Sequence, residues 1–270
     1  MTSSTELAPQ RVRHPLKFRL LQVSRVQPLS PHLVRITLSG DDLADFVSAS
    51  FDDHIKVFFP AAGEDKPNLP TMGEDGPVYP QGAARPVARD YTPRRFDAAA
   101  NELDIDFVLH GIGPATTWAA QAQVGQYLGI GGPRGSFVIP AGYDWHLLIG
   151  DDSALPAIAR RLEQLPADSR ALVIVEVADA GAQIRLDTSA DASVQWLHRS
   201  DAGGAAQVVD AVRKLVLPAG TGYAWAAGEL ATAQAVRKVL VDELGIAKNQ
   251  IRAASYWKQG AVASHETLDD

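Results

Sequence analysis

The sequence contains no cysteine. This absence excludes disulfide bonds, thiolate metal sites, cysteine-ligated iron–sulfur clusters and a cysteine nucleophile. Long apolar runs are also missing, because a run such as residues 146–149 is far shorter than the roughly 20 residues that cross a bilayer. The first residues lack the apolar centre of a secretory signal. We therefore expect a cytoplasmic protein that does not enter a membrane.

The sequence also lacks an excess of basic over acidic residues. The formal net charge is −7, which disfavours binding to nucleic acid. Residues 1–40 carry six basic and one acidic residue, for a net of +5, whereas residues 141–270 carry 12 basic and 17 acidic residues, for a net of −5. The acidic excess therefore lies mostly in the second half, and two solvated surfaces of different composition explain it most simply.

Residues 15–140 show the short alternating segments of antiparallel strands. Residues 102–109, ELDIDFVL, alternate most clearly, and a helix is predicted over residues 113–121. Residues 60–86 are rich in proline and glycine and predict a long loop. We therefore predict an antiparallel β-barrel over residues 15–140, preceded by a flexible polar tail over residues 1–14.

From residue 141 onward, predicted strands alternate with predicted helices. Residues 172–177, LVIVEV, form a continuous apolar run that is typical of a buried parallel strand. Helices are expected over residues 153–165, 206–216 and 230–244. This alternation predicts an α/β domain with a doubly wound parallel sheet over residues 141–270.

One predicted strand ends with the sequence RDYT, residues 89–92. Arg89 can bind a phosphate through two hydrogen bonds. Tyr91 offers a flat ring for stacking on an aromatic cofactor, and Thr92 can address a ring nitrogen. The pattern is short and is weak evidence when taken alone.

Two glycine-containing segments follow predicted strands and begin helices. Residues 111–118, GIGPATTW, have the geometry of a phosphate site at a helix start, although Thr116 or Thr117 serving only as a helix cap explains them more simply. Residues 150–157, GDDSALPA, lie where a doubly wound domain binds a nucleotide, yet they are not the GxGxxG fingerprint. We expect Ser153 to face the ligand there, with the two aspartates turned aside.

Glu176 ends the next predicted strand, where an acidic residue commonly binds a ribose diol. On physical grounds it favours a ribose without a 2′-phosphate. Arg185 is near in sequence and could meet a 2′-phosphate instead. The sequence therefore leaves NADH and NADPH both open as the nucleotide, and a ferredoxin is a third candidate donor.

The order of these segments resembles the ferredoxin-reductase-like flavoproteins. Within them, the chain is most similar to the siderophore-interacting proteins, which are NAD(P)H-dependent ferric-siderophore reductases. The segments that carry this resemblance span about residues 17–260 and are HIKVFFP (54–60), RDYTPRRFD (89–97), DFVLHGIGPATTWA (106–119), GGPRGSF (131–137), GDDSALPAIARRLE (150–163), AAGE (226–229) and YWKQG (256–260).

The resemblance implies an FAD site on the barrel and a nicotinamide nucleotide site on the α/β domain. The residues implied for FAD are Arg89, Asp90, Tyr91, Thr92, Asp106, Val108, His110, Ala115, Thr116 and Thr117. Those implied for NADPH or NADH are Asp151, Ser153, Ala154, Glu176 and Glu229. No metal ligand and no amino acid acting as an acid or base is expected, because the flavin carries the redox chemistry.

Ferric siderophores are often anionic, so the family's pocket uses basic residues. The matching positions are Lys56, Arg134 and Lys258, of which Lys258 stands where many relatives have arginine and lacks its bidentate geometry. We therefore expect a monomeric ferric-siderophore reductase. Two alternatives stay open, namely a flavin reductase that serves a ferredoxin or an oxygenase partner, and a siderophore-binding protein without turnover.

Overall fold

The computed structural model describes residues 7–109, 113–199, 204–260 and 266–268. They divide into two compact units, Pro9–Ile139 and a second unit that runs from Pro140 and also includes Leu7 and Ala8. The division between residues 139 and 140 lies one residue before the position at which strand–helix alternation was predicted to begin. No helix in these described ranges is long and apolar enough to cross a bilayer.

The first unit consists of eleven described strands and one helix. The strands are β1 (Gln10–Arg13), β2 (Phe18–Ser30), β3 (Leu33–Ser39), β4 (Ile55–Phe59), β5 (Thr71–Gly73), β6 (Gly76–Val78), β7 (Val87–Tyr91), β8 (Arg95–Asp97), β9 (Glu102–Val108), β10 (Tyr127–Gly131) and β11 (Gly135–Val138), and the helix is α1 (Pro114–Ala120). Seven of them form an antiparallel sheet in the order β7-β4-β10-β2-β3-β9-β8.

This sheet is strongly curled. Its edge strands β7 and β8 are joined by residues 92–94 alone, a connection that spans at most about 14 Å. In a flat sheet of seven strands the two edges would lie about 29 Å apart. The edges must therefore approach each other, although no pairing between β7 and β8 closes a barrel in the described part of the chain.

Strand β9 shows how the alternating pattern builds this unit. Leu103, Ile105 and Phe107 are fully buried in the core, where each large apolar side chain contributes about 1.5–3 kcal/mol. The intervening Asp104 and Asp106 are buried as well, because arginines of the neighbouring strands cover them. The alternation in the sequence therefore separates an apolar face from a face of ion pairs.

The second unit is a parallel sheet with one antiparallel edge strand. Its elements are β12 (Trp145–Asp151), α2 (Leu155–Gln164), β13 (Arg170–Val177), β14 (Asp191–His198), α3 (Gly204–Arg213), β15 (Gly222–Glu229), α4 (Leu230–Asp242), β16 (Ile251–Trp257) and β17 (Glu266–Thr267). The strand order is β14-β13-β12-β15-β16-β17. The chain places β13 and β14 on one side of β12, and β15 and β16 on its other side. A crevice is therefore expected outside the carboxyl ends of β12 and β15.

The burial of each strand depends on its position in the sheet. Every residue of β12 is buried, and β15 is buried up to its last residue, as expected for central strands covered on both faces. The edge strand β14 alternates between exposed and half-buried residues. The predicted parallel sheet is therefore present, with the crevice placed by its central strands.

Two local expectations need correction, and one strand was not predicted. Residues 10–13 belong to the predicted tail but form β1, which pairs with β11. The predicted loop over residues 60–86 contains the hairpin of β5 and β6. Strand β8 was missed because RFD is too short to show a pattern, and it is held instead by pairing with β9.

Candidate functional site

Strand β7 carries three of the predicted FAD residues, with Arg89 and Tyr91 on one face and Asp90 on the other. Tyr91 is directly opposite Ile55 of β4 and its ring packs on Phe107, with 4.4 Å between the ring centroids. Burial raises the pKa of the Tyr91 hydroxyl, so the ring stays neutral. Arg89 lies on the same face, donates to the carbonyl of Ala88 at 2.7 Å, and has no acidic partner in the described ranges.

Lys56 and Asp90 lie on the opposite face of the same two strands. They are directly opposite in the β4–β7 register, and the Lys56 Nζ is 2.9 Å from Asp90 Oδ1. The predicted cofactor residue Asp90 is thus the partner of the predicted substrate residue Lys56. Arg134 is exposed in the turn between β10 and β11, and no acidic group of the described residues pairs with it.

Asp106 is already engaged within the sheet. Its carboxylate accepts hydrogen bonds from Arg35 Nε at 2.7 Å and from Arg35 Nη2 at 2.9 Å. Val108 is half-buried at the end of β9. The predicted FAD residue His110 lies outside the described residues.

Helix α1 begins without a side-chain cap. Its N-cap residue is Gly113, which has no side chain to bond the first turn, and Thr117 N–H donates to the Gly113 carbonyl at 2.8 Å. The N-cap residue of α1 is therefore neither Thr116 nor Thr117. The exposed Thr117 side chain and the Arg89 guanidinium are donors of the kind that a phosphate needs, so this unit suits the phosphates of FAD.

The crevice of the second unit contains a cavity of about 470 Å³. It lies at the carboxyl ends of the central strands, where the fold places nucleotides. The polar or aromatic residues that line it include Asp151, Glu176, Arg199, Thr232, Glu229 and Trp257. Of these, Asp151, Glu176 and Glu229 were predicted for this site.

Asp151 joins the ends of three neighbouring strands. It ends β12 and accepts from Trp257 Nε1 of β16 at 2.8 Å and from Glu229 N–H of β15 at 3.1 Å. Burial and the nearby Asp152 raise the pKa of the Asp151 carboxyl. Gly228 permits this approach, because its φ is +151° and a Cβ would lie 2.6 Å from Asp151 Oδ2.

Ser153 faces Asp151, and not the ligand side that we expected. Its N–H donates to Asp151 Oδ1 at 2.9 Å, and its hydroxyl donates to the same oxygen. Asp151 is therefore turned toward the protein as the cap of the short 3₁₀ helix at Asp152–Ala154. The adjacent Ala154 is fully buried beneath Gly150, so its side chain packs within the unit.

Glu229 caps helix α4. Its Oε2 accepts from the N–H groups of Ala231 at 2.6 Å and Thr232 at 3.1 Å. The carboxylate thus lies at the cavity wall while it holds the first turn of the helix. Lys258 follows β16 and is exposed, with no acidic partner among the described residues.

Arg199 is one of the lining residues that were not predicted for this site. Its Nε donates to Glu176 Oε2 at 3.1 Å, and its two terminal nitrogens each lie 3.4 Å from an oxygen of Asp152. Arg199 directly follows β14. Its position after a parallel strand was the one feature of the sequence that could have indicated a place in this site. Glu176 Oε1 is buried without a hydrogen-bond partner in the described ranges, so it suits a hydrogen bond from a hydroxyl group of a ligand.

Comparisons with known proteins agree with both units. Residues 22–137 match the family described as siderophore-interacting FAD-binding domain, and residues 143–260 match siderophore-interacting protein. The chain is 38% identical over 263 residues to an NADPH-dependent ferric-chelate reductase of Escherichia coli, covering 94% of this chain and 98% of that protein.

It is also 38% identical over 245 residues to the ferric vibriobactin reductase ViuB of Vibrio cholerae, covering 90% of each chain. Among solved structures, a siderophore utilization protein from T. fusca superposes with a TM-score of 0.86 at 39% identity, covering 95% of this chain and 98% of the other. With both units matched and these identities held over nearly the whole length, the chain belongs to the siderophore-interacting protein family.

Proposed function

We propose that this protein is an NAD(P)H-dependent ferric-siderophore reductase. The observation that carries the proposal is the match over both units, one to an FAD-binding domain and the other to siderophore-interacting protein. Relatives at 38% identity are named as ferric-chelate and ferric vibriobactin reductases. Iron release follows from the reduction, because a siderophore holds Fe(II) poorly.

The first unit would hold FAD through strand β7 and helix α1. We assign Arg89 and the segment Ala115–Thr117 to the phosphates, and Tyr91 and Thr92 to the flavin ring. Asp106 would act by fixing Arg35 in the sheet, and Val108 and His110 complete the assignment. Bound FAD would supply the redox chemistry, which is acceptance of a two-electron hydride and transfer of single electrons to two Fe(III) ions.

The second unit would hold the nicotinamide nucleotide in the 470 Å³ cavity. Asp151, Ser153 and Ala154 would act through the backbone, because their side chains are used within the unit. Glu176 would meet the adenosine ribose, and Glu229 would stand near the nicotinamide while it caps α4. The protein thus supplies binding and orientation, and none of its residues needs to act as an acid or base.

The substrate side rests on three cations. Lys56 and Arg134 belong to the first unit, and Lys258 belongs to the second. We propose that all three attract the anionic chelate, against a protein of net charge −7. Arg134 and Lys258 bring unpaired charge, whereas Asp90 already offsets the charge of Lys56.

We further propose that the curled sheet forms a closed barrel and that the protein works as a cytoplasmic monomer. The short connection between the edge strands β7 and β8 supports the barrel. A ferredoxin as electron donor is kept as the alternative to NAD(P)H. Analytical ultracentrifugation of the purified protein tests the monomer.

The decisive experiment combines colour with iron release. The purified protein should show the absorption of oxidised flavin, lose it anaerobically when NADH or NADPH is added, and regain it when a ferric siderophore follows. A ferrous-specific chelator should trap two Fe(II) for each nucleotide consumed. Protein that cannot be loaded with FAD would refute the proposal and favour a binding protein without turnover.

Variants that remove a positive charge test whether the ferric siderophore is the electron acceptor. Arg134→Gln and Lys258→Gln should slow reoxidation by the ferric chelate while flavin reduction by the nucleotide stays unchanged. Lys238→Gln is the matched control, because Lys238 is an exposed lysine on α4 that pairs with Asp242. Unchanged reoxidation in both test variants would favour a flavin reductase that serves another acceptor.

A further inference from the structure

Two buried carboxylates and one guanidinium meet at the ends of β12, β13 and β14. Asp152 and Glu176 are 6% and 8% exposed, and Arg199 contacts both of them. Glu176 and Arg199 also line the nucleotide cavity. With both carboxylates ionised and the guanidinium charged, the cluster has a net charge of −1.

We propose that this cluster selects NADH over NADPH, with Glu176 as the residue that determines the preference. The inference rests on the proposed function, since it concerns the nucleotide that donates electrons. It also sets this chain apart from the Escherichia coli relative, which is named as NADPH-dependent.

The preference follows from what each nucleotide brings to Glu176. The ribose of NADH has a 2′-hydroxyl that can donate to a carboxylate, and Glu176 Oε1 is buried without a partner in the described ranges. NADPH has a phosphate at the same position, which adds up to about two negative charges and donates no hydroxyl proton when ionised. A site of net charge −1 therefore favours the hydroxyl.

Arg199 cannot turn to a 2′-phosphate without loss. All three of its guanidinium nitrogens face the carboxylates of Glu176 and Asp152. Moving it away would leave two buried charges unpaired, which is strongly unfavourable. If it stays in place, the phosphate instead meets the local negative charge.

Arg185 does not provide the missing positive charge. It was the arginine that the sequence suggested for a 2′-phosphate, but its side chain is 89% exposed and its Nε pairs with Asp187 at 2.6 Å. Arg185 is also not among the residues that line the cavity.

The test measures binding and reduction separately on the FAD-loaded protein. Isothermal titration compares 5′-AMP with 2′,5′-ADP, which differ only by the 2′-phosphate, so this readout does not depend on electron transfer. Anaerobic stopped-flow compares NADH with NADPH. We expect 5′-AMP to bind tighter, and NADH to be preferred by about tenfold or more in flavin reduction.

Glu176→Gln removes the charge and keeps the shape. It should shift both ratios toward the 2′-phosphorylated ligand by about tenfold, and Asp152→Asn should shift them in the same direction. The matched control is Asp187→Asn, which also removes an acid paired with an arginine in this unit and should leave the ratios unchanged. Thermal unfolding of each variant checks that it is folded.

The outcomes separate this proposal from the proposed function. Tighter binding of 2′,5′-ADP, absent binding of both adenosine nucleotides, or ratios that do not move in Glu176→Gln would overturn the selection of NADH, even if iron is still reduced. If 5′-AMP binds tighter and Glu176→Gln shifts the ratio, but neither dinucleotide reduces the flavin, the selection stands and the assigned electron donor is wrong.

Discussion

The two units place their acidic side chains in different parts of the sheet. In the antiparallel unit, acids such as Asp104 and Asp106 lie along the face of a strand and pair with arginines of neighbouring strands. In the parallel unit, Asp151, Glu176 and Glu229 converge at one edge of the sheet, because all parallel strands end there. In the first unit Arg134 stays exposed, and in the second the strand ends build a crevice whose acids are mostly satisfied by the protein.

If the crevice acids mainly hold the strand ends, then altering Asp151 should have the largest effect. In Asp151→Asn, the new NH₂ group would face either the Trp257 Nε1–H and Glu229 N–H, which share Oδ2, or the Ser153 N–H, which donates to Oδ1. Buried donors would lose their acceptor in either orientation. We expect the free energy of unfolding to fall by about 2–5 kcal/mol. Denaturant unfolding monitored by tryptophan fluorescence measures it, and stability within about 0.5 kcal/mol of the parent would contradict the role.

The parallel unit should also respond to acid through His146. Burial and the nearby Arg161 lower the pKa of His146 from its ordinary value of 6.5 to about 4 in the folded protein. The unfolded chain therefore binds more protons between these two values, and stability is lost as the pH falls from the ordinary pKa towards the lowered one. The loss should reach roughly 3 kcal/mol.

His146→Gln should remove this part of the pH dependence, because glutamine does not titrate. Denaturant unfolding of the parent and the variant, at several pH values from neutral down to the lowered pKa, checks it. An identical slope in both proteins would show that His146 is not responsible.

The cations should affect substrate binding more than stability, and in a defined order. Arg134→Gln and Lys258→Gln should raise the KM for an anionic ferric chelate by about tenfold each, whereas Lys56→Gln should raise it less, because Asp90 already offsets Lys56. Asp90→Asn should lower KM for the same reason. A neutral ferric chelate is the control, and equal responses to both chelates would contradict an electrostatic role.

The smallest expected effect concerns the cap of helix α4. Glu229→Ala removes the acceptor for the N–H groups of Ala231 and Thr232 and should cost about 1 kcal/mol. Glu229→Gln keeps an acceptor oxygen and should lose less. Urea unfolding of the three proteins ranks them, and a Gln variant as unstable as the Ala variant would argue against the cap.

The strands whose pattern depends only on residues close together in the sequence were predictable. Strand β9 and the buried run in β13 follow from the spacing of apolar residues, because that spacing alone decides which side chains reach the core. Strand β1 could not be predicted, because Arg13 pairs with Gly135, far away in the sequence, and its own residues are all exposed. The resemblance of motifs identified the family without these details.

The sequence by itself determined a cysteine-free chain in two parts and the family to which it belongs. Only the tertiary structure decided which charged groups meet. Ser153 faces Asp151, Arg199 lies beside Glu176, and Arg185, the sequence's candidate for a 2′-phosphate, pairs with Asp187. The reason is physical: buried carboxylates take whichever donors the strand ends bring near, and distance along the chain does not fix that choice.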